Sequence, residues 1–258
     1  MRTKRSCAAR GALGVCLFLA GALGLPRASS GDTGAAPEAP QKPSVVRNGA
    51  VKTFAYPPRD TSAPRPAVVY LHGRCGAATN GCPHFEPGVA GFGWLVCPPA
   101  TQRCADGGVS WSGSTSQKQA IVDAAIGAVA ASFPGSVDVA APSVVIGFSQ
   151  GAYVAVDIVR ERPGKYMGML LIGAEITTTA EALSAAGVKR VVLAAGVYDG
   201  ARPAMEAEAR KLTADGFAAR FVSLGTVGHT YVPDREGVLQ SSLEWLEGTA
   251  AAPEDESP

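Results

Sequence analysis

The chain has 258 residues, 47% of them hydrophobic and 17% charged, enough for one sizeable core and within the range of a single α/β domain. Its formal charge of +1 hides an asymmetry. The first 30 residues carry Arg2, Lys4, Arg5, Arg10 and Arg27 without an acid, and the remainder holds 18 basic against 22 acidic residues. No stretch of that remainder clusters Lys and Arg with aromatics, which argues against nucleic acid as a partner.

The N-terminus reads as a secretory signal peptide over residues 1–30. MRTKR supplies a positive n-region, GALGVCLFLAGALGL (11–25) an apolar h-region, and PRASSG a small-residue cleavage zone after Ala28 or Ser30. The apolar run is shorter than the roughly 20 residues a bilayer span needs, so no stable membrane span is expected after cleavage. Cys16 raises a lipoprotein reading, but Arg10 stands too close before it to leave room for an h-region. Residues 31–50 are small, polar and Pro-rich and read as a flexible leader. A single domain is expected over 51–248, followed by an acidic disordered tail over 249–258.

Cleavage removes Cys7 and Cys16 and leaves Cys75, Cys82, Cys97 and Cys104. An even number of cysteines in an exported chain suggests two disulfides, and a secreted or periplasmic location. The C-x6-C spacing, present twice, favours 75–82 and 97–104 among the three connectivities. A zinc site would want C-x2-C-type spacing, which is absent.

Short apolar, β-branched runs occur at 66–71, 93–97, 143–148, 167–172, 190–195 and 219–224. Such runs, apolar on both faces, suit central strands of a parallel sheet. Helical periodicity occupies 116–132, 151–162, 202–214 and 236–247, with Gly216 as a C-cap after the third helix. The alternation predicts a three-layer α/β fold with a mostly parallel sheet and helices on both faces. Ligands of such sheets sit beyond the carboxyl ends of the strands. That is where VVIGFSQGAY (144–153) places Ser149.

A serine hydroxyl is a weak nucleophile until a neighbouring base accepts its proton. A tight strand-to-helix turn exposes the oxygen and aims a helix N-terminus at the reacting centre, and flanking glycines let the turn pass its neighbours. The strand VVI before GFSQG and the helical stretch after it supply that context. A buried structural serine is the competing reading.

LHG at 71–73, GFSQG at 147–151, G-x-x-D at 196–199 and GH at 228–229 occur in the order found in α/β-hydrolases. Over about residues 50–248 the chain resembles that superfamily, and within it the small carboxylesterase/acyl-thioesterase and dienelactone-hydrolase-like branches. Cutinases share a related pentapeptide, but the LHG loop separates this chain from them. The resemblance implies the order nucleophile, acid, histidine. The chain has three histidines, His72, His84 and His229, and only His229 follows Ser149. Asp199, after the strand RVVLAAG, is the expected acid. Glu175, after the preceding strand, is its rival, and Asp215 reads as a solvated turn residue. The oxyanion hole is expected from the backbone amide of Gln150 and one from Arg74 or Gly73, with His72 structural.

Trp111, in the loop GVSWSGSTS, either lines the acyl pocket or packs over the sheet. Only 17 residues separate the runs at 167–172 and 190–195, which leaves no space for a large lid domain. The site should therefore suit small to medium acyl esters. The leading function is an exported serine carboxylesterase, forming an acyl-enzyme on Ser149. A peptidase or ester-polymer depolymerase with the same triad is an alternative, as is a non-catalytic binding module on a hydrolase fold. A dienelactone hydrolase would want cysteine at 149. No glycine-rich phosphate loop or metal-ligand spacing is present, so no cofactor and no metal is expected. Nothing in the sequence marks an oligomeric state.

Overall fold

Strands form where apolar residues run without interruption. The computed structural model describes residues 42–49, 51–105, 107–230 and 237–248. The expected signal peptide, most of the leader and the acidic tail lie outside them. In chain order the elements are β1 Ser44–Asn48, β2 Val51–Tyr56, β3 Arg65–Leu71, α1 Ala78–Gly81, a 3-10 turn Cys82–His84, α2 Glu86–Val89 and β4 Trp94–Cys97. There follow β5 Gln102–Arg103, β6 Val109–Ser110, α3 Thr115–Ser132, β7 Val137–Asp138, β8 Ser143–Phe148, α4 Gln150–Glu161 and β9 Tyr166–Ile172. The last are α5 Ala180–Ala185, β10 Arg190–Ala195, α6 Arg202–Ala214, β11 Ala219–Ser223 and α7 Val238–Glu247.

The main sheet among the described residues runs β1-β2-β4-β3-β8-β9-β10-β11, with β7 beside β3. β1–β2 and β2–β4 pair antiparallel, and the other neighbours pair parallel. Successive side chains of a strand point to opposite faces, and here they enter two separate cores. Val69, Leu71, Val145, Met169, Leu171, Val191 and Leu193 pack with α3, α4 and α6 on one face. Val68, Tyr70, Val144, Ile146, Leu170, Ile172 and Val192 pack with α2 and α7 on the other. This is the expected three-layer, mostly parallel α/β arrangement. No helix among the described residues is long and apolar enough to cross a membrane.

β1 lies inside the segment expected as a flexible leader, so ordered structure begins at least as early as Ser44. Its sequence SVVRN buries only Val46, as befits an edge strand, and so lacks the apolar run that marks the central ones. The disulfides also differ from expectation. Cys75 bonds Cys104, and Cys82 bonds Cys97, with Cα separations of 5.6 and 6.2 Å. The C-x6-C spacing misleads because the sheet brings together residues far apart in sequence. Cys97 ends β4 beneath the turn holding Cys82, while Cys104 sits beside the loop after β3.

The chain passes from β3 to β4 on one side and later to β8 on the other. The crevice at such a switch in strand order is where ligands of open α/β sheets bind. Register pairs Leu71 with Gly147 and Phe148 with Ile172. The loops beginning at His72, Ser149 and Gly173 therefore leave the sheet side by side.

Candidate active site

β8 ends and α4 begins with Ser149 alone between them, at φ +52° and ψ −117°. That sparsely populated positive-φ conformation is costly for a residue with a side chain. It is held by close backbone packing. A Cβ on Gly147 would come within 2.5 Å of Ala152 Cα, and one on Gly151 would overlap the Leu71 carbonyl. The Ser149 amide donates to Ile172 O at 2.8 Å, fixing the turn to the neighbouring strand end.

The loops after β10 and β11 meet beside this turn. Tyr198 N–H donates to Val227 O at 2.9 Å and Val197 N–H to Gly225 O at 2.9 Å, so the two loops interlock. They deliver Asp199 and His229 together. His229 Nδ1 lies 3.0 Å from Asp199 Oδ2, and His229 Nε2 lies 3.0 Å from Ser149 Oγ. An ionised carboxylate only accepts, so Nδ1 is the donor and Nε2 is left to accept from the serine hydroxyl. The Asp199 side chain is 4% exposed against 50% for His229. Its other oxygen accepts from the Ala201 amide at 3.0 Å, which fixes the carboxylate plane.

Glu175 is exposed, and its backbone amide donates to the Tyr153 hydroxyl at 3.1 Å. Asp215 caps the end of α6 in solvent. The carboxylate brought to His229 is that of Asp199.

The amide of Gln150 stands in the first turn of α4, where a helix has no internal carbonyl to offer its N–H groups. Gly73 packs against Ser149, since a Cβ there would lie 3.2 Å from Ser149 Cβ. The Arg74 side chain is exposed. His72 is buried: Ala100 N–H donates to its Nε2 at 3.1 Å, which leaves Nδ1–H to donate to Gly73 O at 2.8 Å. Both contacts suit a neutral ring, and burial pushes its pKa below the usual histidine value. Trp111 does not line an open pocket. It is 4% exposed, sits in the core of the α3/α4 face, and its indole N–H donates to His72 O at 2.9 Å. A buried indole needs such a partner, and the carbonyl of His72 draws it inward.

Three neighbours of the site escaped the sequence reading. Phe148 lies against the imidazole with ring centroids 5.1 Å apart. Gly173, at φ +61°, forms the floor beneath it, since a Cβ there would be 2.9 Å from Asp199 Oδ2 and 3.1 Å from His229 Nδ1. The carboxamide of Gln150 grips the Trp111 backbone at both ends. A usable signal existed for Gly173: VVIG, LLIG and LAAG close three successive central strands with glycine. The described residues hold no group of three or more potential metal-ligating side chains.

No protein-family model matches the chain, and no curated protein matches it either. Solved structures do. Esterase PE8 superposes with a TM-score of 0.57 at 19% identity, over 78% of this chain and 99% of that one. The Bacillus cereus carboxylesterase gives 0.51 at 18% identity, covering 79% and 96%. Acyl-protein thioesterase 2 of Zea mays gives 0.51 at 18% identity, covering 76% and 98%. At these identities the likeness is one of architecture, and with the sheet order and switch point it establishes that this chain has the α/β-hydrolase fold.

Proposed function

We propose that the protein is an exported serine hydrolase cleaving small to medium carboxylic esters through an acyl-enzyme on Ser149. The carrying observation is the pair of 3.0 Å contacts linking Ser149 Oγ, His229 and Asp199 Oδ2. In this reading His229 Nε2 takes the hydroxyl proton as Oγ attacks the ester carbonyl carbon. The amides of Gln150 and of Arg74 or Gly73 receive the developing oxyanion. The imidazolium, held and stabilised by Asp199, then gives its proton to the departing alcohol. A water activated by the same nitrogen releases the acid and restores Ser149.

Several observations support the finer points. The structural neighbours are named as esterases and a thioesterase, which favours an acyl-oxygen or acyl-sulfur bond. Between β9 and β10 the only described helix is the six-residue α5, which suits an open site. Two disulfides, together with the signal-like residues 1–30, favour an oxidising compartment outside the cytoplasm.

The test is hydrolysis of p-nitrophenyl esters from acetate to long chains. Activity should fall at least about 10⁴-fold in Ser149→Ala. Activity surviving that substitution would remove Ser149 from the mechanism. No hydrolysis by folded, disulfide-intact protein would shift the weight to a peptidase or a binding module. Asp199→Asn should lower kcat on the order of 10⁴-fold by releasing the ring tautomer, while Glu175→Gln should stay within about twofold. The reverse pattern would exchange the two acids.

A further inference from the structure

The loop His72–Gly76 needs support of its own, because Cys75 adopts φ +54°. All of the described contacts of Cys75 with residues beyond its own loop come from one stretch, residues 104–110. Its sulfur is bonded to Cys104. Its amide donates to Ser110 Oγ at 2.9 Å, and that hydroxyl also lies 3.6 Å from Cys75 Sγ and 3.2 Å from Cys104 Sγ. Gly108 runs so close to the Cys75 carbonyl that any Cβ there would overlap it. Val109 N–H donates to Gly76 O at 3.0 Å.

The same stretch reaches the other side of the site. Trp111, immediately after β6, donates its amide to Gln150 Oε1 and accepts from Gln150 Nε2, both at 3.0 Å. Gly73 O is tied to His72 Nδ1 and to the Gly76 amide. Across the trans Gly73–Arg74 peptide, carbonyl and N–H point in opposite directions, so these bonds also orient the Arg74 amide.

We propose that the β5–β6 hairpin is the clamp that positions the oxyanion hole. Ser110 and the Cys75–Cys104 bond set the Arg74 amide, and the Gln150 carboxamide on Trp111 sets its distance from the Gln150 amide. The proposal rests on Ser149 being the nucleophile. Ser110 and the Gln150 side chain do not meet the substrate; they are positioning residues. Their effect is on the transition state, since an oxyanion donor acts only when held about 2.7–3.1 Å from the developing charge.

The test measures kcat and KM on p-nitrophenyl butyrate, per serine titrated with a fluorophosphonate. The proteins are the oxidised parent, Ser110→Ala, Gln150→Glu and the double variant Cys75→Ser/Cys104→Ser. An alkyl trifluoromethyl ketone supplies the second readout: Ser149 Oγ adds to its carbonyl carbon, the hydroxyl proton passes to His229, and the former carbonyl oxygen becomes the oxyanion of the hemiketal. Each variant should lose about 10-fold or more in kcat, keep KM within twofold, and lose ketone affinity in parallel. Ser110→Thr, which keeps the acceptor, should recover most of the loss. Where the cysteine variant fails to fold, the other two carry the test, because each changes only one polar group. Variants with kcat and ketone affinity within twofold of the parent would overturn the clamp. So would a loss of kcat with ketone affinity unchanged. A parent that neither labels at Ser149 nor hydrolyses the ester would instead refute the nucleophile reading, and the clamp with it.

Discussion

Two tight turns leave neighbouring strands at the carboxyl end of the sheet, and each holds a residue at positive φ by different means. Ser149 and Cys75 have φ of +52° and +54°, the only positive values among described residues other than glycine. Such a sparsely populated conformation costs roughly 1–3 kcal/mol for a residue with a side chain. At Ser149 the restraint is local. Gly147 and Gly151 allow the turn to press against β3 and α4 at distances no side chain would tolerate. At Cys75 the restraint is remote, supplied by a covalent bond 29 residues away in sequence and by a serine hydroxyl 35 residues away. Close packing and cross-linking are thus interchangeable ways to keep a strained residue in place. Only the first is written in the residues immediately around it.

Substitutions at glycine give the largest expected break in this comparison. Gly151→Ala should destabilise the protein by about 3 kcal/mol or more, because the added methyl meets the Leu71 backbone, which cannot move without disturbing β3. Gly127→Ala is the control: it lies within α3 with open space around its missing Cβ, and should stabilise by roughly 0.5–1 kcal/mol. Urea unfolding of both variants checks the sign and the size. Equal effects would mean that close approach is not what position 151 requires.

The two disulfides sharpen the contrast at an intermediate size. Replacing Cys82 and Cys97 by alanine should cost about 2–4 kcal/mol of stability and leave kcat within about twofold. Both are fully buried in the core on the α2/α7 face, and neither is among the described contacts of Cys75. A large fall in kcat for that pair would show that bracing by any cross-link in this region matters, and not the hairpin in particular.

The smallest effect concerns pH. His72 is held neutral in the fold, with its pKa pushed below 6.5 by burial. Below pH 6.5 the unfolded chain therefore binds a proton that the folded one does not. Stability should fall as pH drops through that value, by up to about 1.4 kcal/mol per pH unit, until the lowered folded pKa is reached. His72→Gln should flatten the slope of unfolding free energy just below about pH 6.5. An unchanged slope would assign it to other groups.

Six strands and the four main helices were legible because each carries a long, unambiguous apolar run or period. Their expected limits fall within a residue or two of β3, β4, β8 to β11, α3, α4, α6 and α7. β1 and the two-residue strands β5 and β6 carry no such pattern. Their positions follow from pairing with chain that is distant in sequence. The same cause explains the disulfides. Spacing along the chain says nothing of which loops a switch in strand order brings together. Ser149, Asp199 and His229 could be expected to meet because they follow strand ends in a fixed order, and their side chains do come together. Trp111 could not be settled, since its burial depends on a carbonyl of His72 that sequence cannot place.

The cysteine pairing has a consequence for wear. Cys82–Cys97 lies wholly inside the loop closed by Cys75–Cys104, so the two covalent rings are nested. A protease that cuts once between Cys82 and Cys97 leaves two fragments joined twice over. A cut elsewhere between Cys75 and Cys104 leaves them joined once. The stretch containing α1, α2 and β4 can therefore be nicked without the chain coming apart.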